Sequence, residues 1–122
     1  MKKVYLFLIA ISIIAVACED DDKVVVTNQP QSLCDSLDVL YTNDIKPLLD
    51  ENGCSSDYCH GNGAAGYTIK DYESTKTTAE DPKFLRAIRH ETGVSPMPKG
   101  RSMLSDDEIQ MIECWIQTGM RE

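Results

Sequence analysis

Apolar residues are spread unevenly along the chain. Val4 to Val16 is an almost unbroken apolar run, interrupted only by Ser12. Residues 19–33 have no period at all. From residue 43 onward the apolar positions come in short groups at helical spacing, punctuated by Gly, Pro, Asn and Asp. Asn43-Asp44-Ile45-Lys46-Pro47-Leu48-Leu49 predicts a short helix capped by Asn43. Pro47 then lies in the first turn, where its missing N–H costs nothing, and Asn52-Gly53 ends the element. Asp71 to Ala79 predicts a weaker helix, with Tyr72 as its main apolar contribution. Asp81-Pro82 is a cap followed by proline at the first helical position. Phe84, Leu85 and Ile88 give that helix one apolar face, and Gly93 ends it. The last helix opens on Ser105-Asp106-Asp107-Glu108, a capping box. Ile109, Ile112 and Ile116 share its apolar face, Met111 and Trp115 broaden it, and Gly119 stops it. No strand pattern occurs, so the expected fold class is all-α, one small helical domain.

The ends refine the picture. Lys2 and Lys3 ahead of the apolar run read as an export signal over residues 1–17; the run is shorter than the ~20 residues that span a bilayer. Ala15-Val16-Ala17 followed by Cys18 resembles a bacterial lipobox, with Cys18 lipidated; an unmodified Cys18 after plain cleavage is the alternative. Glu19-Asp20-Asp21-Asp22 opens a solvated tether over residues 18–33, and resembles surface-export signals of some gram-negative lineages. The folded domain is expected over residues 34–122. The protein would be exported and lipid-anchored to a gram-negative membrane, facing the periplasm or the cell surface.

Loss of Lys2 and Lys3 would take the formal charge from −8 to −10. So acidic a chain excludes nucleic acid and suits a partner with a basic docking surface. Nothing in the sequence calls for a stable oligomer, and a monomer is expected. Fewer than ~90 residues remain for the core, so a staple or a bound ligand is expected to support it.

The cysteines carry the chemistry. Export places them in an oxidising compartment. With Cys18 lipidated, Cys34, Cys54, Cys59 and Cys114 remain. Cys114 points roughly opposite the isoleucine stripe, so its partner must cross the outer side of the last helix, as a segment carrying Cys34 could. Cys54, Cys59 and His60 supply two thiols and an imidazole in the order of a haem c attachment site. The spacing is unusual: four residues separate the cysteines where two are usual. Attachment through Cys59 alone, a Cys54–Cys59 disulfide, and a zinc set of Cys54, Cys59, His60 and His90 are the other readings of these residues. A second axial ligand would come from Met97, between Pro96 and Pro98 in a stiff loop over 95–100; His90 is its rival. Gly61 to Gly66 is a permissive loop, either passing close to a flat ligand or lying bare on the surface. No acid–base pair, phosphate loop or spare thiolate marks an enzyme.

The stretches NDIKPLLDENGC, YCHG, SPMPKG and LSDDEIQMIECWIQTG, in this order, resemble class I cytochrome c, most closely the small cytochrome c-like domains of bacterial lipoproteins. The resemblance covers about Ile45 to Gly119. It implies a helical domain wrapped around one covalent haem c, with thioethers at Cys54 and Cys59, His60 as proximal and Met97 as distal ligand. Cys34 and Cys114 would then be left to form one disulfide. Trp115 would pack in the core or against the haem edge. The function implied is one-electron transfer; a haem-free, disulfide-stapled binding lipoprotein is the alternative.

Overall fold

A computed structural model describes residues 31–122. The expected leader, lipidated Cys18 and most of the tether lie outside the described residues. Within them all regular structure is helical: α1 (Gln31–Leu37), a π-helical turn (Tyr41–Ile45), α2 (Lys46–Glu51), a 3-10 turn (Ala64–Gly66), α3 (Tyr72–Ala79), α4 (Pro82–Ile88) and α5 (Asp106–Gln117). No helix among the described residues is long and apolar enough to cross a membrane.

Helix α5 organises the core. Ser105 caps it: the Ser105 hydroxyl accepts from the Glu108 N–H, and the Glu108 carboxylate accepts from the Ser105 N–H. Ile109 and Ile112 are buried as the periodicity requires, and so are Glu113, Cys114 and Trp115. Three different elements account for the extra burial. Helix α1 crosses the Cys114 side, where Cys34 and Cys114 form a disulfide of S–S 2.05 Å. The Tyr41 ring covers Trp115 at 6.0 Å between centroids, with Tyr72 a further 5.5 Å from Tyr41. Arg89, just past α4, donates to the buried Glu113 carboxylate from Nε at 2.9 Å and from Nη2 at 2.5 Å. Removing either charge would strand the other in the interior.

Tyr41 N–H and Trp115 Nε1–H both donate to the Arg121 carbonyl, at 2.9 and 2.8 Å, which fastens the C-terminal tail under the aromatic group. Ile45, Leu49, Leu85 and Ile112 are the other large apolar side chains of the most deeply buried set, which Thr75 and Ala79 join.

Two boundaries differ from expectation. Asn43 does not cap α2. The chain becomes helical earlier, with Leu40 at the cap position and its N–H donating to the Asp44 carboxylate at 2.9 Å. Tyr41 and Ile45 are both buried, and a wider π turn brings both inward. Helix α4 stops at Ile88 rather than Gly93, because Arg89 turns toward Glu113 and His90 adopts a left-handed φ of 52°. Helix α1 arises where the sequence has no period; Cys34 is its buried contact with α5.

Candidate functional site

The end of α2 delivers the chain into the Cys54–His60 turn. Gly53 takes a φ of 73° after the Asn52 cap, and the Cys54 N–H donates back to the Leu49 carbonyl at 2.8 Å. Cys54 is therefore half-buried against the core. Asp50 accepts from both the Lys46 ammonium and the Ser55 hydroxyl, bonds that hold its carboxyl below the usual carboxylate range.

The four intervening residues are looped outward. The Ser56 carbonyl accepts from the Cys59 N–H and from the Gly61 N–H, each at 2.9 Å. The His60 N–H donates to the Cys54 carbonyl, also at 2.9 Å, closing the turn on itself. Tyr58 is left at the tip, 98% exposed. Gly61 is required by space: a Cβ there would meet the Ser55 carbonyl oxygen at 2.5 Å. Thus the longer spacing still brings Cys54, Cys59 and His60 onto one compact turn.

Cys54 and Cys59 are not bonded to each other. Burial, and secondarily the neighbouring Cys59, pushes the Cys54 thiol up to about 11, so it stays protonated at neutral pH. Cys59 is exposed.

His60 has a defined orientation. Its Nδ1 lies 3.1 Å from the Ala64 carbonyl and 3.2 Å from the Tyr67 carbonyl. Carbonyl oxygens only accept, so Nδ1 carries the hydrogen and the neutral ring keeps its lone pair on Nε2. The 61–66 loop makes this possible. Positive φ at Gly63 (81°), Ala65 (56°) and Gly66 (82°) winds the chain around the imidazole. The loop's outer end is fixed in turn. The Tyr67 hydroxyl donates to Asp81 at 2.7 Å, the Thr78 hydroxyl donates to the Thr68 carbonyl at 2.8 Å, and the Ile69 N–H returns to the His60 carbonyl at 2.9 Å. Asp81 also caps α4 through the Lys83 N–H, and these two bonds, the backbone one first, lower its pKa.

Met97 lies on the 95–100 loop, half-buried and packed against the same core cluster as Cys54. Its N–H donates to the Ala87 carbonyl at 2.9 Å. His90, the rival ligand, is turned toward this loop, with Nε2 3.1 Å from the Met97 carbonyl. Among the described residues, no three or more His, Cys, Asp or Glu gather in a metal-holding group, so the four-residue zinc set is not assembled. Two shallow depressions of about 550 and 520 Å³ border the domain, one over Asp35, Asp38 and Arg121 and one over Tyr67, Asp71 and Asp81. Neither is lined by Cys54, Cys59, His60 or Met97.

In residue type these are donors a haem c iron would take: an imidazole with its Nδ1 engaged, two unbonded thiols on the same turn, and a thioether on a separate anchored loop. The contacts that hold His60 are the part the sequence concealed, because backbone carbonyls have no sequence signature. Glycines 63 and 66 announced only that a turn would occur. No known family model, curated protein or solved structure matches the chain.

Proposed function

We propose that the protein is an exported, lipid-anchored c-type cytochrome, a one-electron carrier rather than an enzyme, with a cytochrome c-like domain folded around one covalent haem. The observation that carries this reading is the pinning of His60 Nδ1 between two backbone carbonyls, on the same turn as two unbonded thiols. A haem held there would supply one-electron exchange between Fe(III) and Fe(II). Cys54 and Cys59 would hold it through thioethers, and His60 would give the iron its Nε2 lone pair. The Nδ1–H bonds keep the ring from rotating and enrich the donor nitrogen. Met97 would supply the distal sulfur, a soft neutral donor that favours Fe(II) and raises the reduction potential. Surplus acidic side chains would steer a redox partner with a basic docking surface.

A second reading has its own support. Trp115, Ile45, Leu49, Leu85 and Ile112 are fully buried among protein atoms, and the Cys34–Cys114 disulfide staples the domain. A haem-free, stapled binding lipoprotein would need no more than that core.

A pyridine haemochrome spectrum of the denatured protein, made alongside a haem c maturation system, separates the two. Haem that stays with the chain establishes covalent attachment. The α-band position distinguishes two thioethers from attachment through Cys59 alone. A folded, colourless protein under competent maturation would leave the stapled module as the answer.

A further inference from the structure

The two histidines use opposite ring nitrogens. His60 spends Nδ1 on carbonyls and keeps Nε2 available. His90 does the reverse: Nε2 lies 3.1 Å from the Met97 carbonyl. That carbonyl can only accept, so Nε2 carries the hydrogen and donates it. The Nε2–H of His90 is thereby engaged with the Met97 carbonyl, and only its Nδ1 keeps a lone pair.

The rest of the geometry makes this bond purposeful. Helix α4 ends at Ile88, which leaves the Ala87 carbonyl without a continuing helix to serve. It accepts instead from the His90 N–H at 3.1 Å and from the Met97 N–H at 2.9 Å. His90 then reaches back with its ring. Both peptide groups of Met97, N–H and C=O, are thus held from the end of α4. His90 makes its contact from a left-handed backbone, φ 52°, a conformation His tolerates better than most residues. A thioether is a weak donor with a flexible stem, so its backbone must be placed beforehand if sulfur is to reach a ligand position.

We infer that His90 is a positioning residue: through its Nε2–H bond to the Met97 carbonyl it sets the loop that presents the Met97 sulfur. The inference rests on the haem reading, for which Met97 is the distal ligand.

The test compares three full-length chains: wild type, His90→Gln and His90→Asn. The Gln amide places an N–H where Nε2 stands. The Asn amide places one where Nδ1 stands, too short to reach, while still tolerating the left-handed backbone. Each chain is matured with haem, then examined for the thioether-to-iron charge-transfer band and for reduction potential. The same chains are prepared haem-free for amide hydrogen exchange. The expected result is that H90Q retains the band and the wild-type potential. H90N loses the band and falls in potential, and its Met97 amide exchanges roughly five- to tenfold faster in the haem-free chain, the scale of one lost hydrogen bond. An H90N chain with unchanged band and exchange overturns the inference. So does H90Q failing as badly as H90N, because packing rather than the donor would then matter. A wild-type chain that takes up no haem overturns the haem reading itself, and is recognised before any variant is compared. A wild-type chain that binds haem without the charge-transfer band removes Met97 from the iron, and the inference with it.

Discussion

The domain holds two pairs of cysteines that meet opposite fates. Cys34 and Cys114 are separated by 80 positions, are both fully buried, and are joined. Cys54 and Cys59 are five positions apart and remain apart as thiols, one half-buried and one exposed. Closeness in sequence does not decide pairing; the backbone on either side does. Helix α1 lays Cys34 along α5, and no water reaches the bond. At the turn, the bond from Cys54 N–H to the Leu49 carbonyl draws one side chain inward, while the Cys59 N–H bond to the Ser56 carbonyl belongs to an outward loop. The first pair is a covalent staple, and the second stays as two free thiols on one turn.

The contrast breaks most visibly if the staple is removed. Replacing Cys34 and Cys114 together by serine should cost about 4–5 kcal/mol, the chain-entropy value for so long a loop. Denaturant unfolding of the two chains would measure it, and a loss below about 1 kcal/mol would mean the helices hold α1 without the bond. Next in size is Gly61→Ala. Its Cβ would collide with the Ser55 carbonyl, which is backbone and cannot swing away. A loss of about 2–3 kcal/mol is expected, together with faster alkylation of Cys54 as the turn opens.

Alkylation of the native, haem-free protein sharpens the comparison within the second pair. Burial pushes the Cys54 thiol up to about 11 and shields its sulfur, whereas Cys59 is exposed. Mass-resolved labelling should find Cys59 modified first by a wide margin, and equal rates would contradict the burial of Cys54. The same shift has a stability consequence. The folded pKa lies above the unfolded one, so the contribution is complete below pH 9 and disappears as pH rises through about 11, worth about 3 kcal/mol.

The smallest effect joins the two regions. Asn52, which caps α2 just before the turn, donates from Nδ2 to Glu108 Oε1 at 2.8 Å, on the helix that carries Cys114. That bond, then those from Ser105, depress the Glu108 carboxyl below its ordinary 4.5. Its stabilisation is present above that value and is lost as pH falls through the lowered folded one. Glu108→Gln should cost no more than about 1 kcal/mol at neutral pH, since the side chain is only partly buried, and should flatten the acid limb of the stability profile. An acid limb unchanged by the substitution would assign it to other carboxylates.

Helix starts were legible where capping is local chemistry: Asp81-Pro82 and Ser105 with Glu108 each announced an element that formed, while the weaker helix expected over Asp71 to Ala79 formed with Asp71 as a cap the sequence had not marked. The isoleucine stripe of α5 was legible for the same reason. Features set by distant partners were not. The π turn follows the burial of Tyr41 and Ile45, the early end of α4 follows Glu113 across the core, and α1 depends on Cys114. Of the candidate site, the residue types and their order could be read directly. The orientation of His60 could not, since Ala64 and Tyr67 act through their carbonyls, and His90 read as a rival ligand when its ring in fact faces the Met97 loop.

The outward loop between Cys54 and Cys59 gives an engineer a handle. The bond from His60 N–H to the Cys54 carbonyl closes the turn beneath it, and Tyr58 at the crest has no fixed neighbour to lose. A fluorophore, an electrode linker or a short affinity peptide grafted at that crest would sit within a few residues of both thiols and of the imidazole while leaving the scaffold intact. Few positions on a domain this small combine such nearness to the chemistry with such indifference to what occupies them.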